Sequence, residues 1–549
     1  MSETRVVVAI DFGTTYSGFA CAHIKQNSNQ ITVHSKWQDY NGRFKTFTVL
    51  KYDESLKLMS WGSPALAEKP NRRKKTSDIK PVERFKLYLG DIDDMENKPY
   101  LPEGLDFKTA ITDYLREMGK VIKETIKVSW QKIDYFRQVK IIMTIPAEFD
   151  SKAMKIMRKC AYDAGIINKE DSKNLDFTTE PEAAAIYCMK KKEYNISVGS
   201  SFMVVDCGGG TVDLTTRKLL KNDELDEITE REGDFCGGSF VDDEFLKFIG
   251  NKVGEPALKL VRKNHYSQLQ YMVQDFCRRV KTHFTGQESD LSEEFDLAKL
   301  CPVLKQYVKE EKFDEMEDIE WIIELTFDDV KSMFDPVVER IISLIHKQLD
   351  KSRTSGNDIC VMFLVGGFSE SKYLQTRIKK EFGKEVPNIS IPVHPVTAVL
   401  RGAVQFGLEK NIVKTRVLKW TYGTDVAKKW VQGDPIYRRR KDGRIIKFSR
   451  LAKRGDQVAV DEKIVRTYHP PNTTQRQLGL DIYVTKKEDA TYCDESDVEL
   501  LDSWCVDIPN ASKENRGFEI TLTFGKVEIE AIAQAKNGER YQTTFDLDM

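Results

Sequence analysis

"SSFMVVDCGGGTVDLTT", residues 200–216, decides how the rest of the chain reads. An apolar run ends on Asp206, three glycines follow, and Thr211 returns the chain to a second apolar stretch. The pattern predicts a strand, a glycine turn and a second strand. As a plain hairpin it is poorly made, since each glycine costs ~0.5–1 kcal/mol relative to alanine. Gly208, Gly209 and Gly210 make better sense where the backbone must approach an anion, with the Thr211 hydroxyl and N–H groups as donors. "VVVAIDFGTTYSGFA", residues 6–20, repeats the plan, with β-branched residues running into Asp11, then Gly13, Thr14 and Thr15. Asp11 is an acid of the kind that holds a hard metal ion. Two hairpins of one design predict two similar lobes facing one nucleotide phosphate chain. A third glycine turn, "LVGGFSE" at 364–370, opens a helix and suits the nucleoside end. None of the three is a Walker A loop or a dinucleotide fingerprint.

Between these turns strand-like and helix-like segments alternate. "VKIIMTIPAEFD" is a buried strand ended by Pro146, and "SKAMKIMRKCAYDAG" after it has helical spacing with Gly165 as its stop. "DFTTEPEAAAIYCMKKK" is a strand giving way to a helix, with Pro181 near the helix start. This predicts an α/β architecture with sheets covered on both faces. After about Thr415 the segments become short, alternating and turn-bounded, as in "RQLGLDIYV" and "GFEITLTFGKVEIEAIAQA". That texture predicts a β-sandwich. The expected organisation is residues 1–414 as a two-lobed nucleotide domain and residues 415–549 as a β-sandwich domain.

With 549 residues the chain exceeds one ordinary core. Its formal net charge of −1 gives no pull toward nucleic acid or anionic membranes. "NRRKK" and "YRRRKDGR" read as solvated basic loops. No signal peptide or membrane span is expected. The ten cysteines show neither CxxC pairs nor zinc spacing, so reduced thiols in a cytoplasmic, or alternatively nuclear, setting are expected. Cys207 reads as a small buried filler.

With "AIDFGTTYSG", "IIMTIPAEFD" with "TTEPEAAAIY", "VDCGGGTVDL", "FLVGGFSESKYLQ" and "HPVTAVLRGAVQFG" in this order, the sequence resembles the 70-kDa heat-shock protein chaperones of the actin-like ATPase superfamily. Its departures are similar to those of the divergent heat-shock 70-kDa protein 12 branch. The resemblance implies a slow, magnesium-dependent ATPase handling ATP and ADP, built as a two-lobed actin-like domain followed by a substrate-binding β-sandwich. It implies that Asp11 and Asp206 hold Mg²⁺, that Thr14, Thr15 and Tyr16 beside Gly13 line the β-phosphate, and that Gly208, Gly209, Gly210 and Thr211 line the γ-phosphate. Glu180 would orient the attacking water, with Thr211 and Asp213 nearby. As a residue-level alternative, Glu180 is a helix N-terminal acid favoured by the dipole. Lys86 is either the family's γ-phosphate lysine or a solvated surface lysine. Further nucleotide contacts carry over to Gly237, Gly238, Lys281, Thr285, Gly366, Gly367 and Phe368.

The adenosine side departs from the family pattern. Thr282 and Glu370 stand where the family has adenine-sandwiching arginines, and Arg278 stands where it has a glutamate. "KNIVKTRVLKW" replaces the acidic-leucine linker, and the helical lid is not expected. The implied partners are unfolded or extended polypeptides, or one dedicated protein, with a co-chaperone or exchange factor, and neither nucleic acid nor membrane. Competing readings are a small-molecule kinase of the same superfamily, a filament former, and a nucleotide-gated scaffold with little turnover.

Overall fold

Val6–Phe12 is a buried strand at the centre of the first sheet, parallel to Val139–Ile145 and antiparallel to Tyr16–His23. In this computed structural model the strand order is Leu175–Thr179, Val139–Ile145, Val6–Phe12, Tyr16–His23, Thr32–Val33, with Thr46–Phe47 also paired to Tyr16–His23. The residues described are 4–25, 30–37, 40–66, 80–90, 98–146, 149, 151–190, 194, 196–287, 291–409, 412–460, 462–469, 477–507, 518–524, 530–535 and 540–544. The "NRRKK" run lies outside them.

The second sheet repeats the plan, in the order Leu225–Glu227, Val212–Leu219, Ser201–Cys207, Ile359–Val365, Asn388–Ser390. Ser201–Cys207 runs parallel to Ile359–Val365, as Val6–Phe12 does to Val139–Ile145. In each sheet the apolar run that ends on an acid is thus a central strand, with a glycine turn at its carboxyl end. Such strands are apolar throughout because both faces are covered. The second lobe packs Met203, Val205 and Leu364 with helix residues including Phe245, Phe276, Phe334 and Ile341 in one continuous core.

Two helices back the first sheet. Glu180–Met189 is capped by the Thr179 hydroxyl on Glu182 N–H, has Pro181 in its first turn, and is buried along its whole length. Ala398–Leu408 crosses it at Gly402, where a Cβ would sit 1.6 Å from the Ala183 carbonyl oxygen. Only glycine permits that approach. The crossing fixes the depth at which Glu180, the first residue of its helix, enters the cleft.

The chain divides into two compact units: residues 1–148, 156–215 and 232–410 form the first, and 149–155, 216–231 and 411–549 the second. Within the second, Arg444–Ala452, Thr421–Lys429, Gln477–Thr485 and Val498–Asp507 form one antiparallel sheet. Glu462–Tyr468, Phe518–Phe524, Glu530–Ala535 and Arg540–Thr544 form another. Leu480, Ile482 and Val484 of the first sheet share a core with Ile520 and Leu522 of the second, which is sandwich packing. The segment joining the two halves of the sequence is bound by backbone. Leu225 N–H donates to Ile412 O and Lys414 N–H to Leu225 O, each 2.8 Å, and Val417 N–H donates to the Glu227 carboxylate at 2.7 Å. Glu227 is fully buried and ion-paired to buried Arg217 and to Arg231. Arg454 grips Glu230 with two bonds of 2.8 Å.

Candidate active site

The two glycine turns meet within the first unit. A Cβ on Gly209 would fall 1.8 Å from Thr15 Oγ1, and one on Gly210 would fall 2.8 Å from Thr14 Cβ. The triple-glycine turn is closed by Gly208 N–H on Thr211 O at 2.9 Å. It is then held from outside by the next glycine pair. Gly237, Gly238 and Ser239 N–H donate to the carbonyls of Gly210, Gly208 and Gly209 at 3.2, 3.0 and 2.8 Å. Gly238 also lies under the Phe368 ring, at 3.0 Å from a Cβ position. Gly366, at φ 84°, brings its backbone against Asp206 Oδ1, while Gly367 faces open space. On the other side Gly13 is bound through its N–H to Ser17 Oγ and through its carbonyl to Thr48 Oγ1. Tyr16 packs on Phe47 with ring centroids 4.7 Å apart.

Around this seam four buried carboxylates gather: Asp11, Glu180, Asp206 and Asp213. Lys86 lies in a short 3₁₀ turn, Phe85–Leu89, and is 3% exposed, which excludes the solvated-surface reading. Its ammonium donates to Glu180 Oε1 at 2.8 Å. Burial pushes the Glu180 carboxyl above its ordinary range, and Lys86 only partly offsets this. Asp206 is pushed well above its ordinary value, first by burial and then by the charges of Glu180 and Asp213. Glu180 is the first residue of its helix, where the dipole favours an acid, as the alternative reading expects.

A lysine that the sequence motifs did not single out completes the cluster. Lys45 Nζ lies 2.5 Å from Asp11 Oδ2. Burial pulls the Lys45 ammonium down, but the attraction of Asp11, Asp206 and Glu180 outweighs it and holds the group above its ordinary value. The other Asp11 oxygen accepts the Thr144 hydroxyl at 3.3 Å.

Chemically, this is a buried seam of backbone N–H groups, hydroxyls, two ammonium groups and an excess of carboxylates. Its donor set is all hard oxygen. Among the described residues no three His, Cys, Asp or Glu side chains are arranged to hold a metal by themselves.

The sequence profile of the family described as "Hsp70 protein" matches residues 132–419. The chain belongs to the Hsp70 family. It is 25% identical to human heat shock 70 kDa protein 12A over 96% of this chain and 89% of that one. The same identity and coverage hold for human heat shock 70 kDa protein 12B. With the Chaperone protein DnaK of Mycoplasmopsis synoviae it shares 24% identity, over 77% of this chain and 62% of the other. This Hsp70 member is therefore a distant relative of the 12A and 12B proteins.

Among the residues expected at the nucleoside, Lys281 Nζ is held by Gly238 O and Asp242 Oδ1, both at 2.6 Å. Asp242 was missed in the sequence because nothing marks it beyond its place in the helix that starts at Ser239. Thr282 follows on a π-helical turn, exposed, with its hydroxyl bonded back to Cys277 O. Glu370 is exposed as well. Arg278 turns to Asp275. Thr285 accepts from Gln287 N–H at 3.2 Å, a turn contact that involves none of the glycine seams. Across the two lobes, Arg84 Nη1 reaches Asp243 Oδ2 at 3.0 Å. Cys207 is buried between Asp206 and Gly208, and among the described residues no two cysteines form a disulfide. No helix of the described residues is long and apolar enough to cross a membrane.

Proposed function

We propose that this Hsp70-family chain binds ATP at the seam between its two glycine turns, hydrolyses it to ADP and phosphate, and uses the β unit to hold unfolded or extended polypeptide. The observation that carries this reading is the Lys86–Glu180 pair set among Asp11, Asp206 and Asp213 beside two glycine turns in contact. In this reading Asp11 and Asp206 hold Mg²⁺, which neutralises phosphate charge when bound. Gly13, Thr14, Thr15 and Tyr16 would receive the β-phosphate, and Gly208 to Thr211 the γ-phosphate, through N–H and hydroxyl donors.

Glu180 orients the attacking water, and its raised carboxyl suits a group that must accept a proton. Lys86 fixes the Glu180 carboxylate and offers positive charge to the transferred phosphoryl group. Gly237, Gly238, Lys281, Thr285, Gly366, Gly367 and Phe368 make the nucleoside side. We assign nucleotide handling to residues 1–414 and polypeptide handling to 415–549. A strand-like client would pair with sheet edges of the sandwich. We assign its action to the cytoplasm or nucleus, where a co-chaperone or exchange factor would set the cycle.

A second reading, a nucleotide-gated scaffold with little turnover, is favoured by the exposed Thr282 and Glu370, which offer no arginine face to a base. ATP titration and single-turnover hydrolysis on the purified chain separate the two. Tight binding without turnover would select the scaffold, and no binding would sink both.

A further inference from the structure

Lys45 is fastened to the first glycine turn by the three residues that follow it. Thr46 and Phe47 pair in antiparallel register with Ser17 and Tyr16. Thr48 N–H donates to Thr15 O at 2.8 Å, and its hydroxyl donates to Gly13 O at 2.8 Å and meets Ser17 Oγ at 2.7 Å. Gly18 leaves room for the Lys45 stem, since a Cβ there would come 3.0 Å from the lysine Cγ. The stem is thus laid along the strand that leads out of the glycine turn, and the side chain is 15% exposed. Its ammonium takes one Asp11 oxygen while Thr144 takes the other. A metal ion approaching Asp11 must share or displace a built-in cation. Asp206 stands differently, crowded by carboxylates whose charge a cation would relieve.

We propose that Lys45 is a resident cation of the phosphate site, neutralising phosphate charge beside Asp11 so that nucleotide binding depends only weakly on magnesium. This rests on the nucleotide reading above. An ammonium 2.5 Å from a carboxylate at the foot of a phosphate-binding turn is positioned to bridge that carboxylate and an incoming phosphate oxygen. The cost of burying a phosphate chain among Asp11, Glu180, Asp206 and Asp213 is then met partly by Lys45 and Lys86, without a metal. Magnesium entering on the Asp206 side would add to these cations instead of being required before any nucleotide can bind.

The test is equilibrium binding of fluorescently labelled ADP to the full chain, with magnesium and with EDTA. Wild type is expected to lose less than about fivefold in affinity on metal removal, under 1 kcal/mol. Lys45→Met is expected to lose at least about tenfold in EDTA and to regain most of it with magnesium, making binding newly metal-dependent. Lys45→Arg, which keeps the charge and also serves should the methionine variant fail to fold, is expected to stay close to wild type in EDTA. A wild type that requires magnesium by more than about a hundredfold overturns the inference while leaving the nucleotide reading standing. An equal loss for Lys45→Met in both conditions overturns it as well. Failure of wild type to bind labelled ADP in either condition overturns the nucleotide reading and this inference together.

Discussion

Lys86 Nζ donates to Glu180 Oε1 across 2.8 Å, from a short turn to the first residue of a buried helix. Removing one member of a buried ion pair leaves an uncompensated charge and costs about 3–5 kcal/mol. Lys86→Met should lower stability by about 3 kcal/mol, read as a fall in the urea midpoint. Glu180→Gln removes the other charge of the pair, leaving buried Lys86 without its carboxylate, and should also lower the urea midpoint. Assayed well below that midpoint, where the chain is folded, it should slow single-turnover ATP hydrolysis by at least about tenfold. Unchanged hydrolysis in Glu180→Gln would remove the water-orienting role.

Asp206 yields a prediction in which stability and activity move in opposite directions. Its folded-state carboxyl lies well above the ordinary value of 3.8. Below pH 3.8 the group is protonated in folded and unfolded chains alike and contributes nothing. As pH rises from there toward the raised native value, the folded chain holds more protons than the unfolded one, so stability falls. Asp206→Asn removes that loss. The variant should melt higher than wild type at neutral pH without metal, with the gap closing in acid, while its ATP hydrolysis falls by at least about tenfold. A lower melting temperature at pH 7 would contradict the crowding of carboxylates.

Gly209→Ala places a methyl group where Thr15 already is, with Oγ1 at 1.8 Å and Cβ at 2.9 Å. Rotating the threonine hydroxyl away does not clear the second contact, so the two turns must part. Labelled-ATP affinity should fall by at least about tenfold. Affinity equal to wild type would mean that the seam between the turns is not where phosphate binds.

Thr282 and Glu370 are exposed, and under the proposed nucleotide reading neither offers an arginine face to the base. A guanidinium over an aromatic face contributes about 0.5–2 kcal/mol, so the lack of two should leave ATP and GTP bound within about tenfold of each other. The double variant Thr282→Arg, Glu370→Arg should tighten ATP selectively. Competition of ATP and GTP for a labelled nucleotide measures both, and strong adenine selectivity in the wild type would refute the expectation.

Much of this site was legible because its acids end strands. Asp11 and Asp206 each close an apolar run beside a glycine turn, and Glu180 stands between a strand and the Pro181 that opens a helix, so local pattern marks them and one-dimensional spacing pairs the lobes. The repeated sheet order was implied by the repeated hairpin for the same reason. Lys45 carries no such mark. It precedes a two-residue strand, Thr46–Phe47, too short for any periodicity, and reaches Asp11 only through long-range pairing with Tyr16–Ser17. Lys86 was ambiguous because burial of a lysine is decided by the partner it meets, here Glu180. The pairing of Leu225 with 412–414 was invisible for a similar cause, since backbone bonds between remote segments leave no composition signal. Sequence reading placed a changed linker at that point; the folded chain puts its backbone in a ladder.

That ladder has a consequence for how the protein is cut. The joining segment carries Lys414, Arg416 and Lys419, all substrates for trypsin, which must take a stretch of free, extended backbone into its cleft. Here Lys414 is bonded on both sides, its N–H to Leu225 O and its carbonyl to Val460 N–H, and Thr415–Val417 pairs with Gln457–Ala459. Arg416 is only 4% exposed. The turn that carries Arg439, Arg440 and Lys441 is exposed. Limited digestion should therefore nick the 439–441 turn early and leave the joining segment among the last sites cleaved. Mass mapping of the first fragments decides it, and an early cut after Lys414 or Arg416 would show that the ladder opens in solution far more readily than its bonding implies.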